Sequence, residues 1–341
     1  MNNIHRTMNN KLLTYTLSAL LFVFPVHLFF LFLKNLLYDF GVLKGKKIGT
    51  KVISVGNIAL GGTGKTPTTI AIANFLEKNG YSVGIVTRGH GRENISNSFL
   101  LKNQSWRECG DEVVLLKNNT SSNTSIFVSL NKVYAAKQLS KMGCNIVLLD
   151  DGFQHRRIDR DIDIVLLGLE NQNKRCQFIY PYGLLREPLC YLKRADITIN
   201  TKNNLIKDTD LKSDYTLDLK IKEEVVSSGS IKNVHDLVNK SGIVSVCSIG
   251  DPESFSKTLK SINIDVDKKL VFPDHWAFSL HDIEEINRLS IKEGLKHIVC
   301  TEKDFVKLVE FKQHLKVDVN AIIINHQLSE EIERDVLARL V

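Results

Sequence analysis

Apolar residues recur along this chain with two periods, and the alternation between them outlines the fold. The run Lys51-Val52-Ile53-Ser54-Val55 is short and β-branched, which reads as a buried strand. From Thr66 to Lys78, Ile70, Ala71, Phe75 and Leu76 return at helical spacing. Strand signals follow at Ser82 to Thr87, Asn145 to Asp151, Asp163 to Leu167 and Asp196 to Asn200. A second series opens at Gly242 to Val246, turns at Gly250-Asp251-Pro252, and continues with strands at His297 to Thr301 and Ala321 to Asn325. Strand and helix in alternation predict mainly parallel sheets covered by helices, an α/β protein. Between the two series, residues 201–241 are polar, with one alternating run from Tyr215 to Ile221; they read as a linker carrying a strand or two. The expected division is an N-terminal segment over 1–40, a first domain over 41–205, a linker over 206–240 and a smaller α/β domain over 241–341.

The N-terminal segment has a pattern of its own. Leu12 to Leu33 contains no Asp, Glu, Lys or Arg, and as one helix it would extend about 33 Å, enough to cross a bilayer. Pro25 kinks or divides such a helix. Lys11, Thr14 and Ser18 share one helical face, which also permits a helix lying in the interface. Arg6 and Lys11 precede the run, whereas Lys34, Lys44, Lys46, Lys47 and Lys51 follow it. That asymmetry places the rest of the chain on the cytoplasmic side of a membrane. A membrane-associated helix is the expectation, with spanning and lying-on both open.

Composition narrows the classes. The 341 residues carry 45 Lys plus Arg against 38 Asp plus Glu, a net +7 that suits an anionic membrane surface or a phosphorylated substrate. No arginine-rich tract or aromatic–basic interleaving points to nucleic acid, and nothing predicts a protein partner. The six cysteines are scattered without a C-x-x-C pair, which argues against a metal cage or a disulfide framework.

Chemistry enters at Gly61-Gly62-Thr63-Gly64-Lys65-Thr66, which lies between the first strand and the first helix. Strand, glycine-rich turn and helix is the context that makes a P-loop pattern a phosphate site, because backbone N–H groups and the helix terminus cradle phosphate oxygens. Lys65 would reach the β/γ-phosphates and Thr66 would offer its hydroxyl to Mg²⁺, with Ala59 to Thr66 as the nucleotide-binding loop. The pattern departs from G-x-x-x-x-G-K-[ST] at Ala59, where the first glycine is usual. Further on, Ile146 to Leu149 ends in Asp150-Asp151, the form of a second P-loop-enzyme strand whose carboxylates face Mg²⁺ or water. Gly152-Phe153-Gln154-His155 follows directly.

Other runs leave alternatives open. Arg88-Gly89-His90-Gly91-Arg92 is either an anion-gripping loop or a solvated basic turn. Asp111-Glu112 at a helix start are either dipole partners or the holders of a general base. His275 beside Trp276 is either packed or catalytic. Thr301-Glu302-Lys303-Asp304 invites comparison with the guanine-reading N/T-K-x-D, but its Lys and Asp are adjacent; Thr301 capping a helix is the plainer alternative, compatible with a role near the nucleotide or domain cleft.

Taken in order, these runs resemble the tetraacyldisaccharide 4′-kinases, the lipid A 4′-kinase family of Gram-negative bacteria. The resemblance rests on Gly56-Asn57-Ile58 with Gly61 to Pro67, Arg88-Gly89, Gly110-Asp111-Glu112 and Asp150 to His155. It continues through Pro181 to Pro188, Arg194-Ala195-Asp196, Phe272 to His275 and Thr301 to Asp304, over roughly residues 35 to 310. It implies a P-loop kinase-like domain joined by a two-stranded linker to an α/β/α domain. It also implies transfer of the γ-phosphate of ATP, with Mg²⁺, to the 4′-hydroxyl of a tetraacylated disaccharide 1-phosphate at the cytoplasmic face of the inner membrane. Asp111 and His275, 164 positions apart, would then meet as a catalytic pair, with Lys65 and Arg88 as catalytic cations. Thr66, Asp150 and Asp151 would hold the metal, and Glu112 and His155 would stand behind them or toward substrate. A membrane-associated P-loop GTPase or ATPase switch is the rival.

Overall fold

The computed structural model describes residues 28–168, 178–180, 182–201, 204, 212–238 and 240–341. Residues 28–39 are helical (α1), so most of the apolar Leu12 to Leu33 run lies outside the described residues. Among those described, no helix is long and apolar enough to cross a membrane.

The chain builds two sheets. In the first, β1 (Lys51–Asn57) lies at the centre, parallel to β5 (Ile146–Asp150) on one side and β6 (Ile162–Leu166) on the other. β2 (Val83–Thr87) and β4 (Ser125–Val128) extend it beyond β5, and the two-residue β3 (Phe99–Leu100) closes that edge antiparallel. β7 (Ile197–Thr201) and β8 (Tyr215–Leu217) extend the other side, both parallel. β2, β5 and β6 are buried at every position, as expected of strands covered on both faces. That is why their sequences are continuous apolar runs rather than alternating ones.

Helices α2 (Lys65–Lys78), α3 (Trp106–Cys109), α4 (Asp111–Asn119) and α5 (Lys132–Lys141) connect these strands. α2 and α4 pack over one face with Ile53, Ile85 and Leu148. α5 covers the opposite face through Ala135, Ala136 and Leu139.

The second sheet has the order β11-β10-β12-β13-β9. Its strands are β9 (Leu219–Ser227), β10 (Ile243–Cys247), β11 (Lys268–Val271), β12 (His297–Thr301) and β13 (Asp318–His326), with only β9 antiparallel to its neighbour. α6 (Pro252–Ser261) lies on one face and α7 (Leu280–Glu293) on the other. α8 (Glu302–Leu308) follows β12 without a loop, and α9 (Glu330–Leu340) ends the chain.

Two features tie the sheets together. The alternating run in the polar linker divides, so that β8 edges the first sheet and β9 edges the second. α9 returns from β13 to the first sheet, where Ile332, Val336 and Leu340 join the same core as Ile162 and Ile197. The carboxyl ends of the parallel strands therefore face a shared cleft, where ligands of open α/β sheets bind.

Candidate active site

A cleft of about 590 Å³ opens between the two sheets, lined from both. Leu60 to Pro67 form its floor. Positive φ falls at Gly61 (106°) and Gly64 (79°), the conformations that a side chain would strain. At Gly64 an added Cβ would also sit 2.4 Å from the His326 ring. The departure at Ala59 has a structural reason. Ala59 is fully buried and bridged to Leu185, and Leu60 N–H donates to the Leu184 carbonyl at 2.7 Å. The loop thus needs no freedom there, and Ala59 does not line the cleft, whereas Leu60 to Thr66 do. Thr63 is pinned from two sides: its Oγ1 accepts from Asn57 Nδ2 at 2.8 Å and its carbonyl from Thr201 Oγ1 at 2.8 Å. Lys65 and Thr66 open α2 at the cleft.

At the end of β5 the two aspartates diverge. Asp150 accepts from Thr87 Oγ1 at 3.0 Å; burial, then the charge of Glu112, push its carboxyl up to about 6. Asp151 stands at φ 51°, the left-handed region, and both its oxygens accept from Arg186 Nη1 at 2.8 and 3.0 Å. Burial raises its carboxyl, but the charges of Lys65, Arg186 and Lys132 outweigh that and hold it down at about 2. Lys132, at 0% exposure, donates to the carbonyls of both aspartates and so fixes the turn between them. No hydrogen bond joins Asp151 to His155. The His155 Nε2 has no partner among the described residues. Burial, followed by the charge of Lys132, brings that imidazole down to about 4.

The third cluster joins the two sheets. After β2, the Arg88-Gly89-His90 turn packs against Cys109-Gly110. A Cβ on Gly89 would meet the Cys109 carbonyl at 2.3 Å, and one on Gly110 the His90 carbonyl at 2.4 Å. This contact, possible only between glycines, sets Asp111 at the start of α4. From the second sheet, the turn after β11 presents His275 at φ 58°. Its Nδ1 lies 3.0 Å from Asp111 Oδ1 and 3.2 Å from Oδ2. Asp111 is 2% exposed, so the cleft sees His275 rather than the carboxylate. Lys303 Nζ sits 3.1 Å from His275 Nε2, 3.3 Å from Glu112 and 3.2 Å from Asp274.

Each remaining expected residue has a place. Arg88 lines the cleft, exposed, with no ion pair among the described residues. Glu112 lines it and pairs with Lys303. Thr301 caps α8, accepting from the Asp304 N–H at 3.2 Å, while Asp304 is buried against Ser248 and turned away from the cleft. Four cations were missed. Arg186 lies inside the Pro181 to Pro188 run and Lys303 inside Thr301 to Asp304, and their charge beside acidic residues is the available signal. Lys132 and Lys307 carried none, since a lysine at a helix position reads as solvated.

The donor set near Lys65 suits Mg²⁺ held together with a nucleotide. One hydroxyl and one or two carboxylates, completed by phosphate oxygens and water, is the usual magnesium arrangement in phosphoryl-transfer sites. No cluster of three or more His, Cys, Asp or Glu among the described residues would hold a metal by protein alone.

The family model described as Tetraacyldisaccharide-1-P 4′-kinase matches residues 17–341. A tetraacyldisaccharide 4′-kinase of Syntrophus aciditrophicus is 32% identical over 305 residues, covering 82% of this chain and 81% of the relative. One of Elusimicrobium minutum is 31% identical over 324 residues, covering 89% and 85%. A crystal structure of LpxK from Aquifex aeolicus in complex with ATP superposes with a TM-score of 0.71 at 27% identity, covering 95% of this chain and 99% of that one.

Proposed function

The chain belongs to the tetraacyldisaccharide-1-P 4′-kinase family, and we propose that the Asp111–His275 pair is the base of its phosphoryl transfer. The protein is an ATP-dependent phosphotransferase that moves the γ-phosphate to the 4′-hydroxyl of tetraacyldisaccharide 1-phosphate in lipid A synthesis. The observation that carries the pairing is the 3.0 Å contact between a carboxylate of the first sheet and an imidazole of the second, at the rim of the P-loop cleft.

The division of roles follows from the chemistry. A sugar hydroxyl attacking phosphorus sheds its proton as the bond forms, and a positioned carboxylate or imidazole takes it. In the first reading Asp111 accepts the proton and His275 orients it through Oδ1. The burial of Asp111 supports a second reading, in which His275 takes the proton and Asp111 steadies the ring from behind. Lys65 and the N–H groups of Gly61 to Thr66 hold the phosphates, and Arg88 and Arg186 supply charge where the transferring group passes. Thr66, Asp150 and Asp151 would hold Mg²⁺, which screens the phosphate charge.

Membrane attachment through the N-terminal segment completes the proposal. Phe29, Phe30, Phe32, Leu36 and Phe40 on and beside α1 are exposed. α1 is tied to the first sheet's loops through Asn35 to Glu187 at 3.3 Å and Asp39 to Arg156 at 2.8 Å. An acylated substrate stays in the bilayer, so the apolar residues exposed on α1 would bring the enzyme to it.

A lipid-dependent phosphorylation assay with labelled ATP tests the function. The wild type should label the disaccharide lipid and Asp111→Asn should not. Release of free phosphate without labelled lipid would favour a nucleotide-driven switch and overturn the kinase reading.

A further inference from the structure

Thr301 to Asp304 and the helix it opens are left without a function by the assignments above, yet α8 faces the catalytic pair directly. Lys303 and Lys307 are one turn apart, the i, i+4 spacing that places both on one helix face. Lys307 is 0% exposed. Its Nζ lies 2.6 Å from Ser248 Oγ, 3.1 Å from Asp304 Oδ1 and 3.4 Å from Asp111 Oδ2. Asp304 is anchored in turn by the Ser248 N–H at 3.1 Å and the Thr301 hydroxyl at 2.8 Å. The lysine therefore has a fixed position against the one carboxylate oxygen that His275 approaches less closely.

Lys303 acts on the other end of the pair. An ammonium group has donors and no acceptor, so a Lys303 Nζ at 3.1 Å from His275 Nε2 requires a lone pair on that nitrogen. The ring proton must then sit on Nδ1, where it donates to Asp111 Oδ1. The acids nearest Nε2, Asp274 at 3.9 Å and Glu112 at 4.0 Å, are beyond hydrogen-bond reach.

We propose that Lys303 and Lys307 are positioning residues for phosphoryl transfer: Lys307 holds Asp111 ionised from its buried side, and Lys303 holds His275 in the neutral Nδ1–H form. This rests on the reading of Asp111–His275 as the base. Several groups face Asp111: His275 and Asp274 from the turn after β11, Lys303, Asp304 and Lys307 from α8, and Cys109 and Glu112 beside it. His90, whose ring is 4.6 Å from that of His275, completes the surroundings. Burial pushes the Asp111 carboxyl up, but the His275 hydrogen bond and the charges of Lys303 and Lys307 leave it below the usual carboxylate value.

The test is the pH profile of kcat/KM for lipid phosphorylation in Lys307→Met and Lys303→Met, with Tm recorded to confirm folding. Each should move the acidic limb up by about one pH unit, the low end of what a neighbouring cation contributes to an Asp. A purely structural role would lower the rate at every pH and leave the limb in place, and that result overturns the proposal. Lys307→Met strands Asp304 in the interior; if it fails to fold, Lys303→Met decides, because the Lys303 side chain is 12% exposed. Nitrogen-15 NMR of His275 in the wild type supplies a readout independent of rate. A proton on Nδ1 and a bare Nε2 are expected, and a protonated Nε2 overturns the Lys303 role. Asp111→Asn separates the two levels of argument. If it keeps wild-type activity, the base reading fails; if it is inactive while both lysine variants leave the limb unmoved, only the positioning roles fail.

Discussion

Removing Asp111 and His275 singly and together gives the sharpest test of a site split between two sheets. Asp111→Asn keeps the shape of the carboxylate and removes its charge and basicity, and general base catalysis contributes typically about 10²–10⁴-fold. His275→Ala removes the imidazole from its 3.0 Å contact with Oδ1. A hydrogen bond to a charged group contributes about 1.5–3 kcal/mol, which corresponds to about 10–150-fold in rate if it is fully expressed in the transition state. In the first reading, Asp111→Asn should therefore cost more than His275→Ala. The double variant should be close to Asp111→Asn alone, because an imidazole has nothing left to orient. In the second reading the order reverses and His275→Ala carries the larger loss. The assay is kcat at saturating ATP and lipid in mixed micelles, with ATP affinity measured separately. Neither side chain lies in the phosphate loop, so ATP affinity should hold. Losses that multiply in the double variant would refute the pair as a unit, since residues acting together are strongly non-additive.

Other expectations follow from the same geometry. Lys65→Ala should abolish lipid phosphorylation, and near wild-type kcat would remove the P-loop from the mechanism. Thr66→Ala should raise the Mg²⁺ concentration needed for half-maximal rate; an unchanged requirement would count against its hydroxyl as a ligand. Deleting residues 1–34 spares the buried Asn35 and should release the protein from vesicles with ATP binding intact, and continued sedimentation at high salt would place the attachment elsewhere. His155 bears on stability: burial and the Lys132 charge lower it from 6.5 to about 4, so the folded state resists protonation that the unfolded state accepts. Stability is then intact above pH 6.5 and is lost as the pH falls toward 4. Discounted for partial exposure, the loss is about 1–2 kcal/mol. Tm should fall less across that window in His155→Gln, and identical slopes would sink the argument.

The nucleotide half was legible because its signals are local. β1, β5 and β6 are buried on both faces, so their sequences announce themselves as apolar runs, and the glycine pattern sits where strand passes to helix. The missing first glycine became intelligible only through Leu184 and Leu185, residues far along the chain that fix Ala59 and Leu60 from outside. The return of α9 to the first sheet was invisible for a similar reason: its apolar face at Ile332, Val336 and Leu340 announces burial without saying against what. Lys132 and Lys307 mark the limit of pattern reading. Their surroundings are built by distant carbonyls and carboxylates, and no window of the sequence contains them.

On the proposed assignment of Asp111 as the base, its placement suits phosphoryl transfer. Asp111 begins α4, where the N-terminal half of the helix dipole favours a carboxylate, and two lysines reinforce that preference. These influences keep it ionised but also make it a weak base, which would be a poor choice if the proton had to be removed early. Phosphoryl transfer passes through a loose transition state in which the attacking oxygen has formed little bond and keeps most of its proton. A weak acceptor that stays charged to lower pH is then better matched than a stronger one that is more readily protonated. The cations that weaken the base arrive from the second sheet, with His275, on α8 and the turn after β11. Separation of the two sheets would remove imidazole and lysines together, leaving Asp111 uncompensated at the end of α4. On that assignment, base and closed cleft are one arrangement, and the hydroxyl would meet a competent acceptor only when both sheets surround it.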